Sequence, residues 1–108
     1  MALNGFDQYL MQQITTTTLE NNNLLLIAFM QEWDQDDMNL LSKCIFNRLP
    51  AHKIKEHIQG ADRECYRFTF NGEPLVLQFE SYSESCWIEP EDQLQSQQLL
   101  KIALLLNT

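Results

Sequence analysis

Basic residues are scarce in this 108-residue chain. Seven lysines and arginines stand against 15 aspartates and glutamates, which gives a formal net charge of -8. This charge makes unaided binding to nucleic-acid phosphates or anionic lipid unfavourable. We therefore expect neither nucleic acid nor a membrane as a partner, although a basic protein partner is permitted.

Long apolar runs are also missing. The most apolar segment, residues 99–106, is interrupted by Lys101 and is far shorter than the roughly 20 residues of a membrane-spanning helix. Residues 1–10 lack the cationic stretch and apolar run of a secretory signal. The sequence therefore predicts a soluble protein that is not exported.

Cysteine is sparse and odd in number. Cys44, Cys65 and Cys86 are widely spaced, which argues against both a disulfide framework and a zinc site and favours the cytoplasm. The aspartates within residues 34–37 lack the central glycine and terminal glutamate of a calcium loop. We expect neither a metal nor a cofactor.

Glycine is rare as well, since three scattered glycines leave no loop that could cradle a phosphate. The remaining composition, 44% apolar and 10% aromatic, is typical of a globular protein. Residues 1–108 are predicted to form a single domain, because a chain of this length can bury one core.

The first half of the chain predicts two strands and a helix. Threonine-rich residues 14–18 and apolar residues 24–29 suit strands joined by an asparagine turn. The second run predicts burial on both faces, with a buried helix as the competing interpretation. A helix capped by Asp34 is predicted to run to Leu49 and to end because of Pro50.

A hairpin is the clearest pattern in the second half. Tyr66 and Phe68 point to one face, and Asn71–Gly72 suits a two-residue type I′ turn. This turn predicts Phe68 opposite Leu75 and Tyr66 opposite Leu77. In the neighbouring segment, residues 54–58, alternation predicts another strand. Pro74 should lie near a sheet edge or sheet end.

The two histidines carry no predicted chemistry. His52 and His57 are five positions apart in the region of that neighbouring strand, so they are predicted on opposite faces and exposed. Cysteine-histidine catalysis is disfavoured because Glu84 and Glu89 flank Cys86 and would oppose a thiolate.

The last segments complete the fold prediction. A short strand is expected at residues 86–88, followed by a helix over residues 91–106. Together the elements predict an α+β domain, with an antiparallel sheet of four to six strands and two helices packed on one face. The strand order stays open.

The final helix carries more apolar residues than one sheet face can cover. This excess predicts self-association or a protein partner, with an interface formed by Leu99, Ile102, Leu104 and Leu105. The alternative is that residues 1–10 fold back over the same leucines. The preferred function is a non-enzymatic interaction domain that forms a homodimer or binds another protein.

A second hypothesis concerns the polar loop at residues 80–87. Tyr82, Glu84, Cys86 and Trp87 combine an aromatic floor with polar groups, which is a common composition of small-molecule or catalytic pockets. Alternatively, Trp87 packs into the core and the serines only form part of a turn. Enzymatic activity is the less favoured interpretation.

Two segments, residues 60–63 (GADR) and residues 79–87 (FESYSESCW), resemble a family of small bacterial proteins of uncharacterised function. The resemblance covers about the last two thirds of the chain. It implies a bacterial cytosolic setting and supplies no activity, cofactor or functional residue.

Overall fold

Six strands form one antiparallel sheet in the computed structural model, which describes residues 14–107. Their spatial order is β1-β2-β6-β5-β4-β3. The predicted α+β class is confirmed. Residues 1–10, the alternative cover for the leucines of the last helix, lie outside the described residues. The strands are β1 (Ile14–Glu20), β2 (Leu24–Phe29), β3 (His52–Gln59), β4 (Arg63–Phe70), β5 (Glu73–Glu80) and β6 (Ser85–Pro90), and the helices are α1 (Met38–Phe46) and α2 (Gln98–Leu106).

The predicted hairpin is confirmed in β4 and β5. Asn71 and Gly72 have φ angles of 52° and 83°, as a type I′ turn requires. The register places Phe68 opposite Leu75 and Tyr66 opposite Leu77. Pro74 lies beside this turn at the end of the sheet, where its missing N–H costs little.

The β1–β2 hairpin is also confirmed, with Asn21 and Asn22 both at positive φ in its turn. The prediction that β2 is buried on both faces is wrong. Leu25 and Ile27 are buried, whereas Leu26 is exposed, because helices cover only one face of the sheet.

Helix α1 begins as predicted but is shorter. A short 3-10 helix, Gln35–Asp37, precedes it, and Asp34 forms a capping box with Asp37. The helix ends at Phe46 rather than near Pro50, because i to i−3 hydrogen bonds tighten the chain at residues 48 and 49.

A β-bulge between Ile54 and Glu56 changes the prediction for β3. One extra residue reverses the alternation of faces. His52 pairs with Phe70 and His57 pairs with Tyr66, so both histidines lie on the helix-covered face. The predicted opposite placement is therefore wrong.

Helix α2 is shorter than the predicted span of residues 91–106. Residues 91–97 form turns and bends before it, and Ser96 N donates to Asn22 O at 2.7 Å. This contact fixes the approach of α2 to the β1–β2 turn. Strand β6, in contrast, is longer than the predicted residues 86–88 and ends at Pro90.

The core lies between the two helices and one face of the sheet. Phe46 of α1 packs edge-on against Tyr66 and Phe68, with ring centroids 5.7 and 5.0 Å apart. Helix α2 covers the β1–β2 side of the same face. The largest fully buried side chains are Phe68, Phe79, Leu25, Met38, Leu41, Ile45, Leu49, Leu75, Leu77, Ile88, Leu99 and Ile102.

Candidate functional site

The four residues of the predicted binding cluster point to different surfaces. Tyr82, in the β5–β6 turn, is 90% exposed, and Glu84 is exposed in the same turn with a φ of 50°. Cys86 faces the core, while Trp87 faces the open side of the sheet and donates to Glu89 Oε2 at 2.5 Å. The structure therefore does not bring all four side chains together.

A cavity of 360 Å³ lies between β2 and the start of β6. Glu84 and Cys86 of the predicted cluster line this cavity, together with Trp33. Tyr82 and Trp87 are not among its lining residues. Burial raises the pKa of the Cys86 thiol well above its usual range, so the thiol stays protonated and is a poor nucleophile. The cavity therefore lacks an activated group at this cysteine.

The leucines of α2 divide into two sets. Leu99 and Ile102, which the sequence assigned to an interface, are buried in this chain's own core and are not available to a partner. Leu105 is half-buried and packs against that core. Leu104 is 60% exposed, and Leu100, not predicted, is 51% exposed.

A polar cluster inside the helix-covered face was not predicted. Glu64, at the start of β4, is only 5% exposed. Its Oε1 lies 2.8 Å from His57 Nε2 and accepts a hydrogen bond from Gln59 Nε2 at 3.1 Å. Both donors stand on β3 after the bulge, so the bulge creates this arrangement.

Aromatic contacts fix the orientation of the cluster. The His57 ring stacks on Tyr66 with centroids 4.1 Å apart and planes 10° apart. The hydroxyls of Tyr66 and Ser42 are hydrogen-bonded at 3.0 Å, which ties β4 to α1. Burial raises the pKa of the Tyr66 phenol, so it remains neutral near pH 7.

Next to this cluster is a second cavity, of 320 Å³. It is bounded by the turn before α1, the first turn of α1 and the β3–β4 connection. The side chain of Gln35 closes one part of its wall by donating to Gly60 O at 3.2 Å. Its lining residues are Gln35, Asp36, Asn39, Gln59, Gly60 and Glu64.

Ion pairs occupy the open face of the sheet. Arg67 binds Glu56 at 2.7 Å and Glu91 at 2.6 Å, and these contacts raise the pKa of its guanidinium. Hydrogen bonds from Ser83 and Arg63 lower the pKa of Glu80. Two arginines thus neutralise part of the charge of three glutamates, and this group of ion pairs keeps a net negative charge.

One sequence signal pointed to Glu64. Residues two apart on a strand share a face, so Glu64 lies on the same face of β4 as Tyr66 and Phe68. This places a carboxylate on the apolar face of the strand. A buried carboxylate needs hydrogen-bond donors, and it is therefore a sign of a polar site. No comparable sign of His57 is visible in the sequence, because the bulge decides which face this residue takes.

Fold and cavities together define a small α+β domain without a recognisable catalytic grouping in its described residues. The family described as "Protein of unknown function (DUF3630)" matches residues 13–107, and the chain belongs to this family. Neither a curated protein nor a solved structure matches the chain.

The described residues contain neither a membrane-spanning helix nor a metal-binding cluster. None of the described helices has the length and apolar character needed to cross a membrane. Within residues 14–107, no group of three or more histidine, cysteine, aspartate or glutamate side chains converges as a metal site.

Proposed function

We propose that this chain is a non-enzymatic interaction domain that forms a homodimer through one flank of α2 and the adjacent edge strand β1. The observation that carries the proposal is the exposure of Leu100 and Leu104, two large apolar side chains four residues apart on one helix. Leucines at this spacing form a continuous apolar stripe.

The stripe lies on the flank of α2 that is nearer β1. On the other flank of α2, Gln98 Oε1 accepts from Asn71 Nδ2 at 3.0 Å, and Asn71 belongs to the β4–β5 turn. At ~100° per residue, Leu100 and Leu104 point about 120° to 160° away from Gln98. Because α2 packs on β1 and β2, with β4 and β5 farther across the sheet, the two leucines project outward from the sheet on the β1 side of the helix.

Strand β1 is the less protected edge of the sheet. Both edge strands contain an irregularity, near the start of β1 and in the middle of β3, so the difference between the two edges lies in their charge. Strand β3 carries Lys53 and Lys55, which discourage strand addition. Residues 14–19 of β1 contain no charged residue and no proline. An edge of this kind can pair with another strand.

A second copy of the chain is the occupant that fits this surface. Two identical edges related by a two-fold axis can pair antiparallel, and the leucine stripes then meet across the same axis. Each copy carries a net charge of -8, so contact through an uncharged strand and a leucine stripe avoids much like-charge repulsion.

Sedimentation velocity over a concentration series tests the proposal. We expect the wild-type chain to dimerise, and Leu104→Glu to weaken the dimer by about tenfold or more, because a carboxylate would be buried at the contact. Since Leu104 is exposed, the substitution should change the free energy of unfolding by no more than about 0.5 kcal/mol.

Ile54→Glu is the matched control. Ile54 is 46% exposed on the opposite edge strand, so the same change of chemistry there should leave the dimer intact. A wild-type chain that stays monomeric at about 100 μM, or a dimer unaffected by Leu104→Glu, contradicts the proposal.

The cellular compartment is also part of this proposal. Three cysteines in a chain of this size, none of them in a disulfide, support a reducing compartment, and we infer a bacterial cytoplasm. The alternative function, a ligand or catalytic site at residues 80–87, has less support because only Glu84 and Cys86 of its four residues line a common cavity.

A further inference from the structure

The cavity beside Glu64 has the composition of a binding site. Its side-chain lining is entirely polar and includes the carboxylates of Asp36 and Glu64, with no lysine or arginine among the lining residues. Its volume of 320 Å³ is at the small end of ligand pockets. The ligand it could admit is therefore small.

Glu64 is held with one oxygen available. Both of its described donors, His57 and Gln59, bind Oε1, and among residues 14–107 no group donates to Oε2. Oε2 is not an enclosed atom without a partner, since Thr17 Oγ1 alone has that status among the described side chains, so water reaches Oε2 from the cavity. A ligand that supplies N–H donors can replace this water at a carboxylate that is otherwise only 5% exposed.

The other lining groups are mainly acceptors. Gln59 uses one of its two Nε2 hydrogens for Glu64, which leaves its Oε1 as an acceptor beside one remaining N–H, and Asn39 offers an amide of its own. Asp36 lies near the mouth and adds a second negative charge. Such a lining favours a ligand that is positively charged and carries several N–H donors.

We propose that the cavity between the first turn of α1 and the β3–β4 connection binds a small organic cation, a primary ammonium or guanidinium group, with Glu64 Oε2 as its main acceptor. Asp36 supplies long-range attraction at the mouth. The cation binds without covalent chemistry, and His57 and Gln59 act as positioning residues that hold the carboxylate.

Binding is tested with three probes: methylammonium, 1,4-diaminobutane and guanidinium at low millimolar concentration. Acetate is the anionic control. We expect at least one cationic probe to shift the backbone amide signals of Gln59 and Gly60 in a saturable way, and acetate to leave them unchanged. Saturation by acetate, or no saturation with any cation up to about 20 mM, overturns the proposal.

Glu64→Gln is the decisive variant because it keeps the shape of the side chain and removes its charge. We expect binding to weaken by about tenfold to a hundredfold, the usual effect of losing a charge-assisted hydrogen bond. Glu89→Gln is the matched control, since Glu89 lies on the open face and should change binding less than about twofold.

Asp36→Asn keeps the test decisive if Glu64→Gln does not fold. Asp36 is exposed, so its replacement should leave the fold intact and weaken cation binding by about threefold to tenfold. Equal affinity of the wild type and both folded cavity variants would show that the cations bind elsewhere on this acidic chain.

Discussion

The thiols of Cys65 and Cys86 differ in access although both have raised pKa values. Burial raises the pKa of Cys65, and Glu56 and Glu89 add to the effect, but the residue is only half-buried on the open face. Cys86 is enclosed in the core. Solvent access, rather than pKa, therefore distinguishes the reactivity of the two thiols.

We predict that iodoacetamide at pH 8 modifies Cys65 in the native protein and reaches Cys86 only after unfolding. Peptide mass spectrometry over time checks this order. Native modification of Cys86 at the rate of Cys65 would mean that the β2–β6 region opens easily.

The raised pKa of Cys86 also gives a pH effect on stability. In the unfolded chain the thiol ionises above about pH 8.5, whereas the folded state keeps it protonated. Unfolding therefore releases a proton, and the free energy of unfolding should fall as pH rises above that value. The fall should be smaller in Cys86→Ala, measured by urea titration.

Glu64 shows what a single residue can reveal in the sequence. Glu64 stands two residues before Tyr66, so the sequence itself places both side chains on one face of β4, and a carboxylate on the buried face could have been predicted. Its partner His57 could not, because one extra residue in β3 decides which face that ring takes. The carboxylate of the polar cluster was thus open to prediction, and its histidine partner was not.

At the level of elements, the capping box of the 3-10 helix gives a direct test of local structure. Asp34 accepts a hydrogen bond from Asp36 N at 2.9 Å, and Asp34 N donates to Asp37 Oδ2 at 3.1 Å. These contacts satisfy amide groups that the start of a helix leaves unpaired.

We predict that Asp34→Ala lowers the free energy of unfolding by about 1 kcal/mol, because the cap acceptor is lost. Asp34→Asn should stay within about 0.5 kcal/mol of the wild type, since asparagine caps equally well. Urea denaturation checks both. Equal losses in the two variants would assign the effect to charge rather than to capping.

Local pairing was predictable among the elements, and distant pairing was not. The Asn71–Gly72 turn fixes the β4–β5 register because turn geometry acts on the residues beside it. Helix α2 was predicted too long, since the acidic residues before it suit a helix start as well as a turn. Its true start depends on Ser96 bonding to Asn22, a contact that no local pattern indicates.

Across the whole molecule, strand order was the part that sequence could not supply. Strand β2 lies beside β6, and Leu25 and Leu26 pair there with Ile88 and Trp87. These partners are about 60 residues apart in the chain, and their pairing depends on the complete core rather than on any turn. The packing of α2 on β1 and β2 accompanies that order and was equally absent from any local pattern.

The net charge of -8 predicts opposite salt effects on the two proposed interactions. Raising the ionic strength from about 0.01 M to about 0.15 M shortens the screening length from about 30 Å to about 8 Å. Repulsion between two acidic copies then weakens, so dimerisation should strengthen. Attraction of a cation to Glu64 and Asp36 weakens under the same change.

Sedimentation and amide shifts, measured at both ionic strengths, check these signs. The Leu104→Glu variant separates the two effects, because it should lose the dimer and keep the cavity. A dimer that dissociates as salt is added would show that ion pairs hold it together, and the apolar flank of α2 would then not be its main contact.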